Sequence, residues 1–136
     1  MLDEELRRRA EAAPVARLAT VTAAGRPRVI PCCFALDGDA VYSAVDHKPK
    51  RTRRLARLDD IRAHPTVSLV IDHYEDDWSK LWWVRLDGTA QVVEDGPAWE
   101  RGVELLVGKY VQYQERRPTG PVIVVAVERA VGWSAA

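Results

Sequence analysis

Between Asp46 and Arg54 the chain reads DHKPKRTRR, and five of these nine residues are Lys or Arg. Lys48, Lys50, Arg51, Arg53 and Arg54 fall just before or inside the first turn of a segment with helical periodicity. Cations are disfavoured there, because a helix N-terminus already carries about half a positive charge. Pro49 holds Lys48 extended and fixes the direction in which the loop runs. Free backbone N–H groups at a helix start, joined by Lys and Arg heads, make a site for phosphate or carboxylate. The alternative is a solvated basic face in which Arg57 and Arg62 pair with Asp59 and neighbouring acids. Placement at the disfavoured end favours the anion site, since a bound anion relieves the repulsion.

A second stretch with chemical content is DDWSKLWWVR, Asp76 to Arg85, which holds three of the five tryptophans. In a strand, Trp82 and Trp83 face opposite sides. One packs inward, and the other needs a helix, a partner subunit or a flat ligand to cover it. Both a core-plus-dimer contact and a stacking wall for an aromatic cofactor fit these residues.

Other chemistries find little support. His47, His64 and His73 show no close ligand pairing, and His73 with Glu75 to Asp77 reads as a solvated acidic turn, so no metal is expected. There is no Gly-rich phosphate loop and no Gly-x-Ser-x-Gly elbow, and no residue is assigned as catalytic. Twenty basic residues balance twenty acidic ones, so no nucleic-acid partner is expected, and any electrostatic function is local. No apolar run approaches the roughly 20 residues that span a bilayer, and no membrane partner is expected. The charged N-terminus lacks a signal-peptide core. The adjacent Cys32 and Cys33 read as reduced, packed thiols. Together these features lead to the expectation of a cytoplasmic protein.

The elements that position these stretches follow from periodicity. Leu2 to Ala12 reads as a short helix stopped by Pro14. Val15–Thr22, Arg28–Leu36 and Ala40–Val45 read as strands of a meander, with turns at AAGRP and Asp37-Gly38-Asp39. Leu55, Leu58 and Ile61 mark a second helix, ended by His64-Pro65. Thr66–Tyr74 and Leu81–Val93 are strands. Trp99, Val103, Leu106, Tyr110 and Tyr113 form one apolar stripe on a helix from Ala98 to Arg116, and PVIVVAVERAVGW is a final strand. Hairpin-linked strands interrupted by isolated helices suit an antiparallel barrel rather than a parallel sheet. A mainly β (α+β) fold of six strands with peripheral helices, one domain over residues 1–136, is the expected architecture.

The segments VARLATVTAAGRPRVIPCCFAL, AVYSAVDHKPKRTRRL and HPTVSLVIDHYEDDWSKLWWVRLDGTAQVV resemble the pyridoxamine-phosphate-oxidase-like, FMN-binding split-barrel family. Within it, DHKPKR combined with EDDWSKLWWVR is most similar to the F420-dependent branch of the flavin/deazaflavin oxidoreductases, the B group. The resemblance implies a Greek-key split barrel and a homodimer with two cofactor sites at the subunit interface. It implies that Arg28, Val29, Ile30 and Pro31 run under the ring and ribityl chain, and that Ser43, Ala44 and Val45 form the third-strand edge. Lys48, Lys50, Arg51 and Thr52 would hold the phosphate. Trp78, Trp82 and Arg85 would supply the far wall or the partner's contribution.

What the resemblance implies functionally is hydride transfer from reduced coenzyme F420 to an unsaturated or heteroaromatic small molecule. Arg53 and Arg54 would serve the oligoglutamate tail of that coenzyme. FMN suits the same phosphate loop and is the alternative cofactor. A non-catalytic module that binds a flavin, haem or tetrapyrrole is the other alternative, because fold does not fix function. Pyridoxamine phosphate oxidases carry a further basic C-terminal segment, and VERAVGWSAA supplies little of it. Vitamin B6 oxidation is therefore not expected.

Overall fold

The computed structural model describes residues 2–45 and 51–135, with side chains for all of these except 51–55. Helix α1 (Glu4–Ala12) starts where the Asp3 carboxylate accepts from the Leu6 amide at 2.8 Å. Glu4 and Glu5 in its first turn and Arg9 in its last complement the helix dipole. Leu6 and Ala10, four apart, are its buried face.

Seven strands follow: β1 (Ala16–Val21), β2 (Pro27–Cys32), β3 (Ala35–Asp37), β4 (Ala40–Ala44), β5 (Thr66–His73), β6 (Trp82–Val93) and β7 (Val122–Ser134). Helix α2 (Arg51–Ala63) lies between β4 and β5, while α3 (Gly96–Lys109) and the single-turn α4 (Val111–Glu115) lie between β6 and β7. A 3₁₀ turn at Trp78–Lys80 precedes β6. The strands form one sheet in the order β2-β1-β5-β6-β7-β4-β3, and every pairing is antiparallel.

The expected return strand, Arg28–Leu36, is therefore two strands rather than one, giving seven where six were expected. Its first half, β2, pairs with β1 and its second, β3, with β4, and β2 and β3 are the two ends of the strand order. Cys33 and Phe34 are all that joins them. Two sheet edges joined by so short a link force the sheet to curl until its edges meet, without a ladder between them. That is a split barrel with its seam at Cys33–Phe34.

Inward residues alternate along each strand, as the pleat requires. Leu18, Val41, Leu69, Ile71, Val84, Leu86 and Ile123 fill the barrel with Phe34, and each is at most 2% exposed. Burying each such side chain stabilises by about 1.5–3 kcal/mol. Leu58 and Ile61 of α2 join this cluster. A smaller cluster forms outside the barrel, where Val103 and Leu106 of α3 pack on Tyr42, Ala44 and Val122.

The helix expected over 98–116 breaks at Tyr110, whose backbone is extended (φ −114°, ψ 123°). The reason is tertiary. The Tyr110 hydroxyl lies 2.9 Å from the Pro14 carbonyl and 3.1 Å from that of Phe34, and it accepts from the Phe34 amide at 3.0 Å. Breaking the helix brings the phenol to the seam. Among the described residues no helix is long and apolar enough to cross a membrane, and no group of three or more His, Cys, Asp or Glu is placed to hold a metal.

Candidate cofactor site

An open cavity of about 260 Å³ lies at the seam, lined by Val15, Pro31, Cys32, Cys33, Ala44, Arg57 and Tyr113. The end of β2 supplies Pro31 and Cys32, the end of β4 supplies Ala44, and α2 and α4 contribute one residue each. The seam residues are pinned from several sides. The Ser43 hydroxyl donates to the Cys33 carbonyl at 2.8 Å. Lys109 donates to the Phe34 carbonyl at 2.9 Å, with its ammonium 3.7 Å from the Phe34 ring centroid.

Besides Leu58 and Ile61 in the core, a buried carboxylate anchors helix α2. Asp60 is only 4% exposed, and its Oδ2 accepts from the Thr20 hydroxyl at 3.0 Å and from Arg28 Nε at 2.9 Å. These contacts tie α2 to β1 and β2 and so set where Arg57, three residues earlier, meets the cavity. Asp60→Ala should lower stability by about 2–3 kcal/mol. Removing one member of a buried pair costs about 3–5 kcal/mol, and a 40% exposed Arg28 side chain recovers part of that in water. Urea unfolding of the purified variant measures this, and an unchanged midpoint would contradict the anchoring role.

The structure brings Pro31 and Ala44 together at the cavity wall. Ser43 and Val45, the neighbours of Ala44 in sequence, are buried, and the Val45 amide donates to the Pro121 carbonyl at 2.9 Å. Arg28 engages Asp60, Val29 is exposed on the outer face, and Ile30 packs against the core. Trp82, Trp78 and Arg85 lie elsewhere. Trp82 points into the barrel, with the His73 ring stacked 6.5 Å away. Trp78 is exposed on the 3₁₀ turn, and its indole N–H donates to the Tyr74 hydroxyl at 3.3 Å. Arg85 is on the outer face of β6 and bonds Asp87 at 3.1 Å. Lys48 and Lys50 lie outside the described residues, as do the side chains of Arg51 and Thr52.

Sequence reasoning missed Arg57, Asp60, Lys109 and Tyr110 as parts of this site. Arg57 and Asp60 stand in an otherwise charged helix surface pattern, and Tyr110 fits the apolar stripe of its helix, so no local signal separates them.

Burial dominates the titration of the seam. It raises the Cys32 thiol, an effect partly offset by the hydrogen bond with Ser43 and the charge of Arg57. It raises the Tyr110 phenol, against the pull of its bond to Phe34. It draws the Lys109 ammonium down to about 8, although Cys33 and Glu11 favour the charge. Unfolded, Lys109 keeps its proton to about 10.5. Between these values the unfolded chain binds more protons, so rising pH stabilises the fold through this residue. Cys32 and Tyr110 act in the opposite sense above about 9 and 10, where the unfolded chain loses protons that the folded chain retains. The wild type should therefore gain stability relative to Lys109→Met as pH rises from 8 to 10. Chemical unfolding across that range measures the difference, and parallel curves would contradict the assignment.

Residues 2–134 match the profile of the pyridoxamine 5'-phosphate oxidase family. The chain belongs to that family. Its solved relatives share the fold at low identity. A conserved hypothetical protein of Mycobacterium tuberculosis superposes with a TM-score of 0.77 at 16% identity, over 99% of this chain and 86% of that one. The heme storage protein HutZ of Vibrio cholerae does so with 0.73 at 18% identity, over 98% and 94%. An FAD-binding protein of Mesorhizobium loti does so with 0.70 at 19% identity, over 96% and 94%. No curated protein matches the sequence.

Proposed function

We propose that this member of the pyridoxamine 5'-phosphate oxidase family is a coenzyme F420-dependent reductase that works as a homodimer on an unsaturated or heteroaromatic small molecule. The observation that carries the reading is the seam cavity. It joins Pro31 and Ala44, from the two segments expected at the cofactor, to Arg57, six residues into the helix that the basic stretch leads into.

The residues present fit a ring cofactor with an anionic tail. Pro31, Val15 and Ala44 offer apolar surface to a ring, and Arg57 offers a cation beside it. Lys48, Lys50, Arg51 and Thr52 would take the phosphate through charge-assisted bonds. Arg53 and Arg54 stand four and three positions before Arg57, the spacing that repeats on one helix face. A cationic run of that length exceeds what one phosphate needs and suits an oligoglutamate tail. When bound, the reduced coenzyme supplies the hydride, and the protein supplies orientation, electrostatics and exclusion of water.

The dimer is supported by the cavity's size and surroundings. Sites for small molecules commonly enclose about 300–1,000 Å³, so one chain's open 260 Å³ falls short of closing over a ring. Pro31 lies on the outer face of β2, as does the 63% exposed Val29 two residues before it. A second copy laid on this face would cover these side chains and complete the wall.

The heme storage relative from Vibrio cholerae favours a second reading, a module that binds a chromophore without turning anything over. The two readings separate in one experiment. Protein loaded with reduced F420 is mixed with a panel of quinones, nitroaromatics, enones and tetrapyrroles, and coenzyme reoxidation is followed optically. Protein-dependent reoxidation by at least one acceptor supports the reductase. Binding with no reoxidation across the panel supports the module.

A further inference from the structure

The cavity contains both cysteines of the chain, and they differ. Cys32 ends β2 with its thiol buried and hydrogen-bonded to Ser43. Cys33 sits in the seam, outside any strand, and is partly exposed. Two cations lie near this pair. Arg57 lines the same cavity from α2. Lys109 is held at the carbonyl of Phe34, the residue after Cys33, and its charge is favoured by Cys33. The remaining titratable neighbours are Tyr110, which hydrogen-bonds the same carbonyl, Tyr113 on the cavity wall and Glu11 near Lys109.

We infer that Cys33 is a thiol-modification site, taking a mixed disulfide from low-molecular-weight disulfides that bear carboxylates, and that the adduct closes the cavity. The thiolate is the attacking species. Cys33 gives its proton to solvent, and its sulfur attacks one sulfur of the incoming disulfide. A new S–S bond forms to Cys33 as the old one breaks. The leaving thiolate carries away the electron pair and takes up a proton from water. Cys33 is oxidised, and the departing sulfur is reduced. Arg57 and Lys109 favour a carboxylate-bearing reagent over a cationic one. Cys32 does not compete, because burial both shields its sulfur and opposes its ionisation.

Intact mass after incubation with oxidised glutathione tests the site in the full chain. The expected result is one glutathionyl adduct on native protein and two in urea. Cys33→Ser should give none in the native state, while Cys32→Ser should still give one. Cystamine, the cationic disulfide, should react several-fold more slowly than oxidised glutathione. No native adduct, two native adducts, retention of the adduct in Cys33→Ser or equal rates for the two reagents would overturn the assignment. Closure rests on the function proposed above and is read separately. Thiolated protein should take up no F420 until treated with dithiothreitol, whereas undiminished uptake by thiolated protein would overturn the closure.

Discussion

Gly88→Ala is expected to cost about 3 kcal/mol of folding stability, the upper end for overpacking a well-packed site. A Cβ at Gly88 would lie 2.1 Å from the carbonyl oxygen of Ala126 and 2.9 Å from its carbonyl carbon. Both are backbone atoms of the neighbouring strand, so no side chain can swing aside. The clash falls where the β6–β7 register shifts between Asp87 and Gly88, a bulge that lets these two long strands follow the barrel's curvature. An alanine there must push β6 and β7 apart and strain the ladder on both sides. The same change at Gly108 is the control. It is exposed in α3 with nothing within 4 Å of an added Cβ, and alanine should stabilise it by up to about 1 kcal/mol. Urea midpoints for the two variants should move in opposite directions, and matching midpoints would contradict this account of the bulge.

Lys50→Ala combined with Arg51→Ala should reduce cofactor affinity by about 2–6 kcal/mol. Each charge-assisted hydrogen bond to a phosphate contributes about 1–3 kcal/mol, and tenfold in affinity corresponds to about 1.4 kcal/mol. The folded state should not suffer. Cations at a helix start are mildly unfavourable in the free protein, so stability should hold or rise by a few tenths of a kcal/mol. Weaker binding with intact stability marks a ligand site. Unchanged affinity would return the basic stretch to a solvated charge cluster, and a large stability loss would mark it as structural.

Much of the barrel was legible because turns and pleats are local. Gly25 and Gly38 adopt positive φ at the two hairpin turns, as the AAGRP and Asp-Gly-Asp signals imply. The seam was not legible. Arg28 to Leu36 is continuously strand-like, and only long-range pairing to β1 on one side and β4 on the other divides it. The break at Tyr110 has the same origin, since its apolar spacing continues through a position that tertiary hydrogen bonds pull out of the helix.

Of the residues the family resemblance named for the cofactor, Pro31 and Ala44 line the cavity, whereas Trp78, Trp82 and Arg85 lie away from it. The alternative of a solvated basic face paired Arg57 and Arg62 with Asp59 and neighbouring acids; Arg62 lies 3.8 Å from Asp59, and Arg57 lines the cavity. Trp82 shows the limit of composition. A tryptophan-rich stretch announces a large apolar surface, but strand parity decides which ring turns inward, and Trp82 does.

The most direct measurement is a paired titration of the purified protein with F420 and FMN, repeated for Arg53→Ala combined with Arg54→Ala. If the basic stretch holds an oligoglutamate tail, F420 binds more tightly than FMN, and the double variant loses affinity for F420 while its affinity for FMN changes little. Tighter binding of FMN, or equal losses for both cofactors, would contradict it.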